Sequence, residues 1–181
     1  KKELERQLDL PVFIENDCNL SMLGVYAAEL DSKPQFAIGV FIRTGIGGGI
    51  VLNGELFTGA DHTAGEIGHM ALQADSGPVC GCGNKGCFEA LASRTAIFRR
   101  IQEAVGQGQK TILTDMLGNS LDDMRSGDLR RAIRRGDKFV KKVVEDAAQY
   151  TGIAVANLVN IFNPEVVVLG GGIIEALEEQ I

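Results

Sequence analysis

Residues 36–54 read Phe-Ala-Ile-Gly-Val-Phe-Ile-Arg-Thr-Gly-Ile-Gly-Gly-Gly-Ile-Val-Leu-Asn-Gly, and their reading decides the fold. From Phe36 to Ile42 every residue is apolar or glycine, with β-branched and aromatic types prominent, which is the pattern of a buried strand. Thr44 to Gly49 make a glycine loop, Ile50-Val51-Leu52 resume a strand, and Asn53-Gly54 is the dipeptide best suited to a two-residue hairpin turn. Such a hairpin belongs to an α/β protein when helical patterns flank it, and here they do on both sides.

Upstream, Pro11-Val12-Phe13-Ile14 is a short apolar run ending in polar Glu15-Asn16-Asp17, which suits a strand delivering polar groups at its carboxyl end. Leu20, Leu23, Ala27 and Leu30 then recur at helical spacing, and Asp31-Ser32-Lys33-Pro34 is a turn and a boundary. Downstream, Phe88 to Gln107 carries apolar residues at helical spacing, followed by a polar stretch of connectors or short helices around Gly118, Asn119 and Gly127. Residues 137–162 hold a long amphipathic pattern that ends at Asn163-Pro164. Val166 to Leu169 read as a strand, and Gly170-Gly171-Gly172 turn the chain into a last helix. The sequence opens without Met and stops at Ile181 within that helical pattern, so it is expected to be a piece of something longer.

The 181 residues are 45% hydrophobic and 23% charged, which excludes a disordered or fibrous chain. A net charge of −6 opposes general affinity for nucleic acid or anionic membrane, so phosphate must be met by local groups. No apolar run approaches the roughly 20 residues that cross a bilayer, and no signal peptide opens the chain; the expected setting is cytoplasmic. Arg130, Arg131, Arg134, Arg135, Lys138, Lys141 and Lys142 stand at helical spacing among acidic neighbours and read as a solvated face rather than a nucleic-acid surface.

Chemistry concentrates in three groups. Cys80, Cys82 and Cys87 are interleaved with glycines that let the chain wrap tightly, and with His69 they can converge on a tetrahedral Zn²⁺. All four positions are then filled, so the site is structural. The other reading is a disulfide pair plus a spare thiol, which a reducing compartment disfavours. Cys18 stands outside the cluster as a small buried hydrophobe. In the second group, the glycines of Thr44–Gly49 allow backbone N–H groups to approach a phosphate, with the Thr44 hydroxyl beside them. A hairpin follows this loop instead of a helix, and no Gly-Lys-Ser/Thr ending is present, so neither the dinucleotide nor the Walker pattern applies. An ordinary glycine turn is the competing reading. Gly170–Gly172 offer a second place of close backbone approach, to a nucleotide or to a packed helix. The third group is Asn16, Asp17, Glu66, His69 and Glu89, where Glu66 and His69 share a face if their turn is helical. Singly these are solvated residues; together they suit a polyol, whose hydroxyls both donate and accept.

Glu15-Asn16-Asp17-Cys18-Asn19, Thr44-Gly45-Ile46-Gly47-Gly48-Gly49, Ala64-Gly65-Glu66-Ile67-Gly68-His69, the Cys80–Glu89 run and Pro164–Gly172 resemble, in spacing and order, the motifs of the ROK family of sugar kinases and sugar-responsive repressors. The resemblance implies an actin-like ATPase (ribonuclease H-like) α/β fold of two lobes. Residues 1–33 would end the N-terminal lobe, and 34–181 would form the C-terminal lobe with the phosphate loop, zinc site and adenosine loop. It implies a glucokinase-like transfer from ATP to the primary hydroxyl of a hexose or N-acetylhexosamine. Asp17 would be the catalytic base, and Asn16, Glu66, His69 and Glu89 would bind the sugar. Thr44, Gly45, Gly47 and Gly48 would line the phosphates, Gly170, Gly171 and Gly172 would sit by the adenosine, and His69, Cys80, Cys82 and Cys87 would hold structural Zn²⁺. The alternative is a repressor whose helix-turn-helix precedes residue 1.

The family's first phosphate motif, an Asp-x-Gly-Gly-Thr that helps to hold Mg²⁺, is not among these residues, so the chain alone is expected to be inactive. Arg43 stands where the family carries Gly, as a cation for phosphate or an obstacle to the turn, and His62 replaces a Gly at the sugar rim. The chain is expected to make no direct contact with nucleic acid or membrane, and to self-associate through apolar surface left uncovered on its first portion.

Overall fold

The computed structural model describes residues 1–31 and 33–178; Ser32 of the turn at 31–34 and Ile181 at the end of the chain lie outside the described residues. A four-stranded sheet of order β3-β2-β1-β4 carries the fold, with β1 Phe36–Ile42, β2 Ile46–Leu52, β3 Glu55–Leu56 and β4 Val166–Gly170. β1 pairs antiparallel with β2 and parallel with β4. The apolar continuity of β1 follows from burial of both faces. Ile38, Val40 and Ile42 enter the main core, whereas Ala37 and Phe41 face a smaller cluster around Met22.

The main core is filled by helices α4 (Arg94–Gly106), α6 (Ser126–Arg134), α7 (Lys138–Phe162) and α8 (Gly172–Leu177), with the short α3 (Phe88–Ala92) and α5 (Ile112–Leu117) at its edge. α7 buries Val140, Val143, Val144, Ala147, Ala154 and Leu158, the stripe its periodicity requires. Its start is fixed by Asp137, which accepts from the Val140 N–H at 3.0 Å and also from the Thr111 hydroxyl at 2.6 Å, joining α5 to α7. Asn163 ends it in the left-handed conformation at φ +45°, and Pro164 prevents continuation. The helical pattern from Phe88 to Gln107 is divided into α3 and α4 by Ser93, which caps the latter, and the polar stretch that follows holds the short helices α5 and α6.

On the opposite face of the sheet lies α2 (Asp17–Ala28). Its buried side chains are Asn19 and Met22, not the Leu20, Leu23, Ala27 stripe that the spacing suggested; Leu20 and Leu23 are exposed. The reason is the surface beneath it. Gly39 of β1 pairs with Gly49 of β2, and a Cβ on Gly49 would stand 2.5 Å from Met22 Cβ, so the glycine pair is a socket for that side chain. Cys18 sits likewise against Gly47. This also corrects the glycine loop: Gly47, Gly48 and Gly49 belong to strand β2, and the turn is confined to Arg43–Gly45, where Arg43 N–H donates to Gly45 O at 2.8 Å. Arg43 is thus no obstacle to the turn. The hairpin at Asn53-Gly54 forms, both residues having positive φ.

Pro11–Ile14 is not a strand. No described strand lies alongside to pair with it, and Phe13 and Ile14 are exposed at 86% and 70%. Helix α1 (Lys2–Leu8) precedes it with no buried residue. Among the described residues no helix is long and apolar enough to cross a membrane.

Candidate active site and metal centre

Helix α2 begins at the edge of a cleft of about 340 Å³, whose wall includes Asn16, Asp17, Thr44, Gly45, Gly47, Gly48, Glu66 and Glu89. The Asn16 side chain caps α2 by accepting from the N–H groups of Cys18 at 2.8 Å and Asn19 at 3.3 Å. Its carboxamide oxygen being so used, Asn16 offers a ligand chiefly its amide donor. The cap places Asp17 at the first helical position, where the helix dipole favours a carboxylate. That carboxylate is 77% exposed, and its Oδ2 lies 3.6 Å from an Arg43 guanidinium nitrogen.

Glu66 precedes a 3₁₀ turn, Ile67–His69, and Glu66 lines the cleft whereas His69 at the end of the turn does not. The turn is held against β2 by Ile67, whose Cδ1 stands 2.6 Å from where a Cβ on Gly48 would be. Glu89, in the first turn of α3, accepts from the Ile46 N–H at 2.9 Å and reaches toward Cys80 Sγ, 3.8 Å away. One carboxylate therefore links the β1–β2 hairpin to the cysteine loop.

His69 and the glycines of β4 are placed elsewhere. His69 does not line the cleft; its Nδ1 faces Cys80 Sγ at 3.7 Å. Gly171, with φ +101°, packs its backbone against the carbonyl of Ile42 and the side chain of Arg43. Gly172 lines a neighbouring groove of about 1000 Å³ together with Arg94, Arg99, Arg125 and Arg130. The glycine turn after β4 thus meets the end of β1 at the carboxyl edge of two parallel strands, the place where open α/β sheets take ligands.

The metal centre is a compact knot. One ligand atom from each of His69, Cys80, Cys82 and Cys87 lies within 4.8 Å of all the others. In a tetrahedral zinc site with bonds of about 2.3 Å the sulfurs stand about 3.8 Å apart, and Cys82 and Cys87 are separated by 3.7 Å. The donor set fits Zn²⁺, which when bound ties the 3₁₀ turn to the start of α3. All four cysteines are free, so the disulfide reading is not what the structure shows. Burial first, and then the adjoining thiols, push Cys87 up to about 12, whereas the Asn84 N–H holds exposed Cys82 below the ordinary thiol value. Three sulfurs this close need a cation to become thiolates together.

The sequence motifs assign no role to two residues of the site, although Asn19 stands within the Glu15–Asn19 motif. Asn19 is 2% exposed, lines the cleft, and donates from Nδ2 to Glu15 Oε1 at 2.9 Å, while its Oδ1 is buried without a partner. A polar residue on the same face as Met22, where the helix is buried, is the sequence signal that identifies it. Arg94 donates to the Thr44 hydroxyl at 2.6 Å from the first position of α4. The start of α4 is docked on the turn by the Arg94 and Thr95 N–H groups, which donate to the carbonyls of Arg43 and Thr44.

A family model described as the ROK family matches residues 1–179. A glucokinase of Halalkalibacterium halodurans is 37% identical over 97% of this chain and 53% of its own length. A xylose repressor of Caldicellulosiruptor bescii is 34% identical over 92% of this chain and 41% of its own. The crystal structure of a ROK family glucokinase from Streptomyces griseus in complex with glucose and AMPPNP superposes with a TM-score of 0.86 at 29% identity, covering 98% of this chain and 59% of that one. The chain spans about half the length of the relatives it matches. With the α/β fold of actin-like ATPases and a family match along nearly all its residues, this chain belongs to the ROK family.

Proposed function

We propose that the polypeptide carrying this chain is an ATP-dependent sugar kinase, glucokinase-like, that phosphorylates the primary hydroxyl of a hexose or N-acetylhexosamine in the cytoplasm. The single observation that supports this reading most is one cleft lined by an exposed carboxylate, Asp17, by the Thr44–Gly45 turn and by Glu66 and Glu89. The glucokinases among the relatives, one of them holding glucose and AMPPNP, support the same assignment.

The sugar would lie between Asn16, Glu66 and Glu89, with its attacking hydroxyl at Asp17. The bond from that oxygen to the γ-phosphorus forms as the bond from phosphorus to the bridging oxygen breaks. The released electron pair stays on ADP, and the hydroxyl proton passes to Asp17. Because phosphoryl transfer has a loose transition state, orientation and charge placement carry most of the catalysis, and Asp17 acts chiefly by aligning the nucleophile. The nucleotide enters as its Mg²⁺ complex. Gly170–Gly172 and the adjoining groove would take the adenosine side, and Zn²⁺ held by His69, Cys80, Cys82 and Cys87 keeps Glu89 in place. Residues 1–33 are assigned to the end of one lobe and 34–181 to the other, meeting where α2 lies on β1 and β2. The exposed Leu10, Phe13 and Ile14 support self-association.

The test is sugar-dependent ATP consumption by the complete polypeptide, with glucose and N-acetylhexosamines compared and Asp17→Asn alongside. Turnover should fall by about a thousandfold or more in the variant while sugar binding persists. Equal turnover removes Asp17 as the base. A second reading, a sugar-responsive repressor, has support in the xylose repressor at 34% identity. Sugar binding without any ATP consumption, together with sugar-dependent DNA binding by the complete polypeptide, would establish it.

A further inference from the structure

Several backbone groups around the phosphate turn are already occupied. Arg43 N–H donates to Gly45 O, Ile46 N–H to Glu89, and the first two N–H groups of α4, at Arg94 and Thr95, go to the carbonyls of Arg43 and Thr44. Gly47–Gly49 are engaged in the β1–β2 ladder. An anion at this turn, in a chain of net charge −6, is best neutralised by nearby cationic side chains.

Two guanidinium groups flank Thr44. Arg94 donates to its hydroxyl at 2.6 Å. Arg43 lies above the Phe41 ring with its carbon 5.7 Å from the centroid, its stem is packed beside Gly171, and its head group reaches Ser21 Oγ at 3.0 Å and Asp17 at 3.6 Å. Arg43 and Thr44 both line the cleft, while Arg94 lines the adjoining groove with Arg99, Arg125 and Arg130, a groove whose acidic member is Glu175. Thr44, which lines the cleft and meets the Arg94 guanidinium, thus links the two cavities.

We propose that Arg43 and Arg94 form a pincer for the terminal phosphoryl group of a polyphosphate chain that lies in the arginine-lined groove and points into the cleft at Thr44. The inference deepens the kinase reading by assigning residues to the donor. In the resting site Arg43 is held by Asp17 and Ser21; on meeting the phosphoryl oxygens it leaves Asp17, and the carboxylate becomes available to the attacking hydroxyl. A guanidinium suits this task because its planar fork meets two oxygens at once. Nucleoside triphosphate and inorganic polyphosphate present the same terminal group, and the pincer accepts either.

The experiment is calorimetric binding of sodium tripolyphosphate, ATP, adenosine and glucose to the complete polypeptide, as wild type and as Arg43→Gln, Arg94→Gln and Arg43→Lys. Each Gln variant should bind tripolyphosphate and ATP about ten- to a hundredfold more weakly, the scale of one charge-assisted contact, with adenosine and glucose unchanged. Unchanged binding of glucose reports that the variants are folded, and Arg43→Lys should recover part of the loss. If wild type binds neither tripolyphosphate nor ATP, or the Gln variants bind them as tightly as wild type, the pincer is overturned, even where wild type phosphorylates sugar. If tripolyphosphate binding depends on both arginines but no sugar is phosphorylated, the pincer stands and the kinase reading falls. ATP binding no tighter than tripolyphosphate identifies inorganic polyphosphate as the donor; much tighter binding identifies the nucleotide.

Discussion

Asp17 is carried by a helix that rests on the sheet chiefly through Met22, whereas Glu89 is carried by α3, which buries Phe88, Ala90, Leu91 and Ala92 and follows directly on the cysteine loop that ends at Cys87. Under Asp17, Met22 and Cys18 rest in the glycine surface of β1 and β2, so apolar contact fixes the carboxylate's position. Beside Glu89 the chain from Cys80 to Gly86 is mostly exposed, and apart from a few backbone hydrogen bonds it has little but the four ligand atoms to shape it. A wholly buried Met side chain contributes about 1.5–3 kcal/mol without any bound ion, but a metal knot contributes only while its ion is present and its sulfurs are deprotonated. The helix under Asp17 and the cysteine loop beside Glu89 are thus held by devices that fail under different conditions.

Removing the knot should have the largest effect. Cys82→Ser is expected to lose zinc by elemental analysis and to destabilise the protein by ~4 kcal/mol or more, the range reached by loss of a structural metal. Hydrogen exchange should then rise across residues 70–90 while α2 stays protected. Equal loss of protection in α2 would mean that the two devices are one. Disturbing the other side is expected to do less. Gly49→Val puts a branched side chain into the space of Met22 and should cost about 1–3 kcal/mol by overpacking. Metal content should stay at the wild-type level, and sugar affinity should fall because α2 carries Asn16 and Asp17. An unchanged melting temperature would show that the helix does not depend on the glycine socket.

The contrast also explains what could be read in advance. The cysteine knot was legible because metal ligation depends on residue type and short spacing, both visible in Cys80, Cys82 and Cys87. α7 was legible because burial of one face imposes a helical period, and β1 and β4 because each is a short unbroken run of apolar residues and glycine. The phase of α2 was not, since which of its faces is buried is decided by glycines in β1 and β2, and an absent side chain leaves no period to follow. For the same reason Gly47–Gly49 resembled a loop: glycine marks both turns and close packing, and only the register Phe41↔Gly47 to Gly39↔Gly49 separates the two. Pro11–Ile14 had a strand's composition, but pairing is a property of neighbours. Arg94 reaches Thr44 across fifty positions of sequence, a distance over which no local pattern speaks.

The mildest test separates the two devices through their thiols alone. Burial first, and then the neighbouring Asp17 carboxylate, push Cys18 up to about 11 from an ordinary 9.0, whereas Cys82 is exposed and held below that value by the Asn84 N–H. After removal of metal with a chelator, iodoacetamide at pH 8 should label Cys82 well before Cys18, read by peptide mass spectrometry, because the thiolate is the reacting form. The sign of the linked stability follows from the same shift. The folded state keeps the Cys18 proton more tightly than the unfolded chain, so its contribution is complete below about pH 9 and is lost as pH rises toward 11. Cys18→Ala should therefore flatten the fall in stability between those values by a small amount, with metal content unaltered. Rapid labelling of Cys18 in the folded protein would mean that α2 opens readily from the sheet, and packing would no longer account for the position of Asp17.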